Sequence, residues 1–302
     1  MDDSNQTQSF LPKHGPLVPF LIGIVVCFAW PLYHLARLSL RDDLYSHILL
    51  VPLVSIYLIW TDRAALQLDA EPNRRNALIL WATGVALAIF SLLAAPLGSS
   101  LAPDDGLVLY ILSFVILVIG TCCWFLGRAT VRALAFPLLF LVFMVPFPAF
   151  MRSGLETFLQ HGSAEFAHLL FRLCGTTVYY QDLLFRLPGI NLEVAPECSG
   201  IRSSLALFIT SLIAGHFFLR TRWKCAVLTL AVIPLALVRN GFRIFTIGEL
   251  CVHVSPDMIN SYIHRQGGPV FFVLSLIPFF LLLRVLYRSE PPLPPRRPPE
   301  TT

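Results

Sequence analysis

Residues 107–126 read LVLYILSFVILVIGTCCWFL, twenty residues without a charged side chain. A helix of about 20 apolar residues crosses the hydrocarbon core of a bilayer, so this stretch predicts a transmembrane helix. The whole chain has the same character, because 56% of its 302 residues are hydrophobic, 13% are charged and the mean hydropathy is +0.71. A soluble domain of this length cannot bury so much apolar surface, and we therefore expect an all-α polytopic membrane protein.

Eight apolar stretches of this kind predict about eight transmembrane helices. They lie near residues 16–36, 44–60, 77–97, 107–126, 130–147, 198–219, 223–246 and 268–287. The second stretch is short, and Pro137 and Pro146 interrupt the fifth. We expect the first stretch to be retained, since no convincing cleavage site follows a short apolar core.

Positive charge predicts the orientation of these spans, because cytoplasmic loops are enriched in Lys and Arg. Alternate connections and the C-terminal tail hold Arg63, Arg74, Arg75, Arg128, Arg132, Arg220, Arg222, Lys224, Arg288, Arg296 and Arg297. The loop 98–106 instead carries Asp104 and Asp105 without Lys or Arg. This pattern predicts a cytoplasmic N-terminal tail (1–15), one integral membrane domain (16–287) and a Pro- and Arg-rich cytoplasmic tail (288–302).

The longest connection, 148–197, then lies on the outer side. Its apolar residues recur at helical spacing, as at Leu155, Phe158 and Leu159, and predict one or two amphipathic helices on the outer surface. Residues 183–194 alternate loosely in polarity and contain Gly189, which is typical of a short hairpin.

Composition also argues against several binding functions. The net charge of +4 is concentrated in short loops and the tail, which suits control of topology and gives no sign of nucleic-acid binding. The seven cysteines are odd in number and have no metal-binding spacing, so we expect no disulfide framework, no metal and no cofactor. They are Cys27, Cys122, Cys123, Cys174, Cys198, Cys225 and Cys251.

The first candidate for chemistry is Cys198, in the stretch 194–204, VAPECSGIRSS. Pro196 suits the start of a helix, which predicts that Cys198 lies in the first turn of the sixth span. Unpaired N–H groups there would lower the pKa of the thiol and hold an oxyanion, and Arg202 would add positive potential one turn later. The alternative is a small packing residue near the membrane interface.

Two arginines follow on the seventh span, in VRNGFRI (238–244). Counted from Trp223 at about 1.5 Å per residue, Arg239 lies about 24 Å and Arg243 about 30 Å along the helix, near the outer boundary of the hydrocarbon core. They share one helical face and are able to snorkel to lipid headgroups. A guanidinium that faces Cys198 would instead stabilise a tetrahedral oxyanion.

The third candidate is His264, in YIHRQGGPV (262–270), just before the eighth span. An imidazole titrates near neutrality and can accept a proton from a thiol. A solvated loop histidine is the alternative, and His253 and His47 are competing bases on the same predicted side. Cys198, Arg243 and His264 together predict an acyl-transfer site at the outer face of the membrane.

At these residues the chain resembles the exosortases, the bacterial branch of the exosortase/archaeosortase family. The matching pieces are ECSGIRS (197–203), NGFR (240–243), His264 with its following glycines, YSH (45–47) and FPLLFLVFMVP (136–146). The resemblance covers roughly residues 44–287. Archaeosortases tend to have arginine at the position of His264, so the bacterial branch fits better.

The resemblance implies a multi-pass cysteine protease and transpeptidase of the bacterial inner membrane, with its active site on the outer face. Its implied substrates are exported proteins with C-terminal sorting signals of the PEP-CTERM type, which combine a short motif, a transmembrane helix and a basic cluster. The implied roles are nucleophile for Cys198, transition-state stabiliser for Arg243 and base or acid for His264. Further candidates, for supporting roles, are Arg202, Arg239, Asn240, Ser199 and His47.

Two other classes of function are weighed against this one. A transporter would place charged groups at mid-bilayer and often contains internal repeats, whereas Arg243 and His264 lie at a predicted edge and no repeat is found. A non-catalytic scaffold for envelope or exopolysaccharide assembly would tolerate the loss of Cys198, Arg243 and His264 one at a time.

Overall fold

The structure is a computed structural model that describes residues 16–62, 73–94, 103–260 and 267–291. Six of its helices are long and apolar enough to cross a membrane, and the number rises to eight if two bent helix pairs each count as one span. The predicted all-α polytopic fold is therefore confirmed. The chain forms two compact units, 1–152 and 153–302, which are described in turn.

The first unit contains six helices in the described residues, with two short 3₁₀ segments between them. They are α1 (Leu17–Cys27), α2 (Ala29–Arg41), the 3₁₀ segment Asp43–Leu49, α3 (Leu50–Thr61), α4 (Arg74–Ala94), α5 (Pro103–Ala133), α6 (Ala135–Phe140) and the 3₁₀ segment Leu141–Met144. The 3₁₀ segment Asp43–Leu49 and α3 together make one candidate span, in agreement with the prediction for 44–60.

The first predicted span, 16–36, is not one straight helix. α1 and α2 meet at Phe28 and are bent by 69°. Pro31 has no N–H group and cannot donate to the carbonyl of Cys27, so the helical hydrogen bonding is interrupted at this point. The Phe28 ring is buried at the bend and lies 5.7 Å from the ring of Phe114 on α5.

The fifth predicted span, 130–147, does not form one separate transmembrane helix. α5 continues to Ala133, with one non-helical residue, Gly127, at φ 76° and ψ 167°. Arg128 and Arg132 therefore lie in helical residues after this break, whereas we expected them in a loop. The chain then forms only α6 and one 3₁₀ segment before Val145 becomes extended. The segment Ala135–Met144 is long and apolar enough to cross a membrane only if it is counted together with the following helix, from which a bend separates it.

Small residues allow α4 and α5 to pack closely. A Cβ atom on Gly120 would lie 2.8 Å from Cδ1 of Trp81, so only glycine leaves room for that indole. The indole N–H of Trp81 donates to Oγ1 of Thr121 at 3.2 Å, and its ring stacks on Trp124 at 5.1 Å. Packing through small residues and interhelical hydrogen bonds is the usual way in which membrane helices associate, since lipid gives no hydrophobic driving force between them.

In its described residues, 153–260 and 267–291, the second unit contains most of α7 and four further α-helices, together with a small sheet. The elements are α7 (Ala149–Cys174), β1 (Tyr179–Gln181), β2 (Leu184–Leu187), β3 (Ile190–Glu193), α8 (Ile201–Phe218), α9 (Arg222–Leu230), α10 (Val232–His253) and α11 (Gly268–Arg288). α8 and α11 agree with the predicted sixth and eighth spans, whereas α9 and α10 together extend the seventh from residue 246 to His253.

The sheet is an antiparallel meander of three strands in the order β1-β2-β3. Residues Asp182 and Leu183, with φ of 49° and 67°, form the first turn, and Gly189 at φ 83° closes the second. The predicted hairpin in 183–194 is confirmed, and β1 adds a third strand. The long helix α7 that precedes the sheet agrees with the predicted helical segment in 148–197.

The sheet packs its apolar face on α7 and α10. The buried side chains that make this core come from both helices and from β2 and β3. They are Ala164, Ala167, Phe171, Phe185, Leu187, Leu192, Val194, Ile244, Ile247 and Cys251. The sheet is therefore fixed against α10, the helix that carries both candidate arginines.

A buried ion pair joins α9 to the chain that follows α11. Lys224, which is 4% exposed, lies 3.6 Å from Oε1 of Glu290, and the hydroxyl of Thr221 donates to the other carboxylate oxygen at 2.9 Å. Burial opposes ionisation of Glu290, but the hydrogen bonds from Thr221 and the charge of Lys224 outweigh it and lower the pKa of that carboxyl. The positive charge predicted for this loop is thus neutralised in part within the protein.

We predict that Gly120→Val destabilises the first unit by about 1–3 kcal/mol, because the added methyl groups displace a Trp81 ring that is fixed by a hydrogen bond and by stacking. Thermal unfolding of the purified protein in detergent measures the effect. Gly23→Val is the matched control, since a Cβ at Gly23 meets no atom within 4 Å. Equal stability of the two variants would contradict the packing described here.

We predict that Glu290→Gln lowers the unfolding temperature at neutral pH and that the difference from the unchanged protein shrinks in acid. A carboxyl with a lowered folded-state pKa stabilises the fold above its unfolded pKa of about 4.3, and this contribution is lost as the pH falls through the folded-state pKa. Unfolding temperatures between about pH 3 and pH 8 test the prediction. A difference that stays constant over this range would contradict it.

Candidate functional site

Cys198 lies in a short turn ahead of α8, and the prediction that it occupies the first turn of the sixth span was wrong. Residues Pro196–Cys198 form a single 3₁₀ turn, and α8 begins only at Ile201. Between them Gly200 has φ +75°, a left-handed conformation that ends one helical segment before the next begins. The thiol is therefore carried by a loop that immediately precedes the helix.

This turn uses the backbone N–H groups that the sequence had suggested for an oxyanion. The N–H of Cys198 donates to the carbonyl of Ala195 at 2.8 Å, and the N–H of Ser199 donates to the carbonyl of Pro196 at 3.0 Å. Both donors are satisfied inside the loop. These two N–H groups are therefore not available to a negative charge that develops next to the thiol.

Asn240 on α10 fixes the loop that carries Cys198. Its Nδ2 group donates to the carbonyls of Cys198 at 2.8 Å and Ser199 at 3.2 Å. The amide is 3% exposed, so these two hydrogen bonds form away from bulk water. A Cβ atom on Gly200 would lie 2.9 Å from Oδ1 of Asn240, which is a second reason for glycine at that position.

Arg239 supports the same loop from the neighbouring position on α10. Its Nη2 atom donates to the carbonyl of Gly200 at 3.2 Å and to the hydroxyl of Ser204 at 3.0 Å. The residue is 7% exposed, so the snorkelling alternative does not describe it. Two consecutive residues of one helix thus bind the backbone of the loop on either side of Ser199.

Cys198 and Arg243 line the same pocket, which lies in the second unit. Four of its lining residues follow the i, i+3, i+4, i+7 spacing of one face of α10, and three others come from the end of β3 and the residue after it. The lining residues are Leu192, Glu193, Val194, Cys198, Asn240, Arg243, Ile244 and Ile247. The pocket is therefore lined by Cys198, Arg243, Asn240 and Glu193 as its polar or reactive residues, and its other lining residues are apolar.

This combination suits attack on a carbonyl group. A partly exposed thiol can reach a substrate, and a guanidinium has the charge and the donors to stabilise an oxyanion. Both hydrogen atoms of the Asn240 Nδ2 group are already directed to loop carbonyls, so Asn240 positions the loop, whereas Arg243 contributes a guanidinium to the pocket.

The other candidate residues lie in different surroundings. Ser199 is buried, and its hydroxyl accepts from the N–H of Ile201 at 3.4 Å. Arg202 is exposed on α8. His47 belongs to the first unit, where its Nδ1 atom lies 3.0 Å from the carbonyl of Leu44. His264 lies outside the residues that the structure describes, so its role stays a prediction.

His253, the remaining competing base, is at the end of α10. Its Nε2 atom lies 3.0 Å from Oε2 of Glu249, and the hydroxyl of Thr176 donates to the other oxygen of that carboxylate. The imidazole is 69% exposed and is not among the residues that line the pocket of Cys198.

Sequence reasoning missed two parts of this site. The first is Gly200, whose left-handed conformation separates the thiol from the helix, and the signal was a glycine directly before the apolar run. The second is the contribution of Leu192, Glu193 and Val194 to the pocket wall. Their alternation had indicated a strand, but nothing in the sequence indicated which helix that strand would approach.

Comparison with known proteins identifies the family. A family model described as transmembrane exosortase matches residues 35–281, which is more than half of the chain and includes every residue of the pocket. No curated protein and no solved structure matches the chain significantly. The chain belongs to the transmembrane exosortase family.

Proposed function

We propose that this protein is a membrane-embedded cysteine protease and transpeptidase that cleaves C-terminal sorting signals from exported proteins. Its family already identifies a multi-pass membrane protein that takes part in the sorting of exported proteins. The proposal adds the catalytic type, the signal that is cleaved and the residues that act. The observation that carries it is the shared pocket of Cys198 and Arg243.

In the proposed mechanism the substrate's own transmembrane helix docks beside the enzyme and brings its signal motif to the pocket. Docking of two partners within one membrane restricts their orientation before the reaction, which lowers the entropic part of the barrier. The thiolate of Cys198 then attacks the scissile carbonyl carbon. The carbonyl oxygen becomes negatively charged, and Arg243, which lines the same pocket, donates to it.

Collapse of the tetrahedral intermediate breaks the peptide bond. The new amine leaves with the C-terminal fragment and takes up a proton, and the N-terminal product stays attached to Cys198 as a thioester. Water or an amine then attacks the thioester, releases the product and restores the thiol. The proton transfers fall to His264, a role that follows from the family resemblance and not from the described geometry.

We place the reaction at the outer face of the bacterial inner membrane. Charge in the connecting loops supports this orientation, since the positive residues in the connection between α8 and α9 favour the cytoplasm. The opposite end of α8 follows the Cys198 loop directly. The proposed substrates are exported proteins with a C-terminal motif, a transmembrane helix and a basic cluster.

We predict that Cys198→Ala abolishes cleavage of an exported reporter protein that ends in such a signal, because no other group forms the thioester. Immunoblotting follows conversion of the reporter, and the level of the variant in membranes controls for folding. Hydroxylamine added to the unchanged enzyme is expected to release the N-terminal product as a hydroxamate. Normal cleavage by a well-expressed variant would remove Cys198 from the mechanism and favour a non-catalytic scaffold.

We predict that Arg243→Gln lowers kcat by about 100-fold to 1,000-fold with little change in KM, since the lost donors act mainly in the transition state. Arg243→Lys keeps the charge but loses the planar fork, so it should recover only part of the rate. Arg172→Gln, at an exposed arginine of α7, is the control for loss of a positive charge. Equal rates for the two glutamine variants would exclude a catalytic role for Arg243.

A further inference from the structure

β3 is an edge strand, since the sheet has the order β1-β2-β3. It pairs with β2 in the register Leu187↔Ile190 and Phe185↔Leu192, and the two-residue turn between the strands makes these the hydrogen-bonded pairs. The intervening pairs, Arg186↔Asn191 and Leu184↔Glu193, are not hydrogen-bonded to each other. Asn191 and Glu193 therefore direct their backbone N–H and C=O groups away from β2, to the free edge.

The free edge of β3 has backbone groups that no described residue occupies. Within the ranges that the structure describes, the N–H and C=O of Asn191 and the N–H of Glu193 have no hydrogen-bond partner beyond β3. The C=O of Glu193 accepts from the N–H of Ala195 at 3.1 Å, which ends the strand. The side chains of Asn191 and Glu193 are exposed, so they do not cover this edge.

This edge leads directly into the pocket of Cys198. Leu192 and Glu193 of β3 and the following Val194 form part of the pocket wall, and only four residues, 194–197, lie between Glu193 and Cys198. The loop is held in place by Asn240 and Arg239. An edge strand and the candidate nucleophile are therefore parts of one rigid site.

An exposed strand edge is a template for another extended chain. Main-chain hydrogen bonds provide affinity in such pairing, and pockets beneath alternate side chains provide specificity. The pocket wall supplies apolar contacts from Val194, Ile244 and Ile247, which suit one aliphatic side chain of a bound peptide. Arg243 lines the same pocket and carries donors that suit a carbonyl group of such a chain.

We propose that the free edge of β3 binds the segment of the substrate that flanks the scissile bond as an extended fourth strand. This inference rests on the proposed peptidase activity and names the way in which the substrate is held. Pairing keeps the peptide extended, directs every second side chain into the pocket and presents a backbone carbonyl to Cys198. Recognition then depends on backbone hydrogen bonds at alternate positions of the substrate.

The first test uses synthetic signal peptides with the full-length enzyme in lipid nanodiscs. Single backbone N-methyl groups are introduced along the segment that flanks the cleaved bond. A methyl group at a position that pairs with β3 should lower kcat/KM about tenfold or more, because a hydrogen bond is lost and the strands are pushed apart, while methylation of the intervening positions has little effect. Loss of activity without a period of two would overturn the proposal.

The second test alters the enzyme. Asn191→Pro removes an N–H group that points to the free edge. Edge strands tolerate proline at such a position, and the substitution leaves the hydrogen bonds between β3 and β2 intact. KM should rise about tenfold with little change in kcat, whereas Asn191→Ala should behave as the unchanged enzyme. The rate at which iodoacetamide alkylates Cys198, followed by mass spectrometry, should be equal in both variants. An unchanged KM in Asn191→Pro would contradict strand pairing.

A third measurement identifies the occupant. A photo-crosslinking amino acid in place of Asn191 should form an adduct with the signal peptide, and an adduct with a second copy of the protein would overturn the proposal. The results separate failure of strand pairing from failure of the peptidase activity. If Cys198→Ala stops cleavage but the methylated peptides show no period of two, strand pairing is wrong and the peptidase activity stands. If the Cys198→Ala variant still cleaves the substrate, the peptidase activity itself is wrong.

Discussion

Two hydrogen bonds from one amide group determine where the candidate nucleophile lies. The Nδ2 group of Asn240 binds the carbonyls of Cys198 and Ser199, and the adjacent Arg239 binds the carbonyl of Gly200. These donors are buried, where an unmade hydrogen bond is costly, so the loop has little freedom to leave α10. The pocket, its thiol and its guanidinium all depend on this connection.

Much of the fold was predictable from apolar length alone. Spans such as 198–219 and 268–287 agree with α8 and α11 because lipid requires about the same length of apolar helix at every crossing. The failures have a common cause, which is local backbone chemistry inside an apolar run. Pro31 bends the first span and Gly127 interrupts α5, in both cases without any change in hydrophobicity that a window average detects.

The candidate site was predictable in composition but not in geometry. The residue types indicated acyl-transfer chemistry, and the helical spacing of Arg239 and Arg243 placed them on one face of a helix. The left-handed residue Gly200 was the step that sequence could not supply, because a glycine before an apolar run is equally compatible with a helix that includes Cys198. The approach of β3 to α10 is a long-range contact, and no local pattern specifies it.

The concentration of site residues on α10 makes that helix sensitive to changes of length. Deleting or inserting one residue between Asn240 and Arg243 would turn everything beyond it by about 100° around the helix axis. Either Arg239 and Asn240 would keep their contacts with the Cys198 loop while Arg243 left the pocket, or Arg243 would stay while those contacts were lost. Evolution of this segment is therefore restricted to replacement of side chains, whereas exposed connections elsewhere in the chain can gain or lose residues without disturbing the geometry around the thiol.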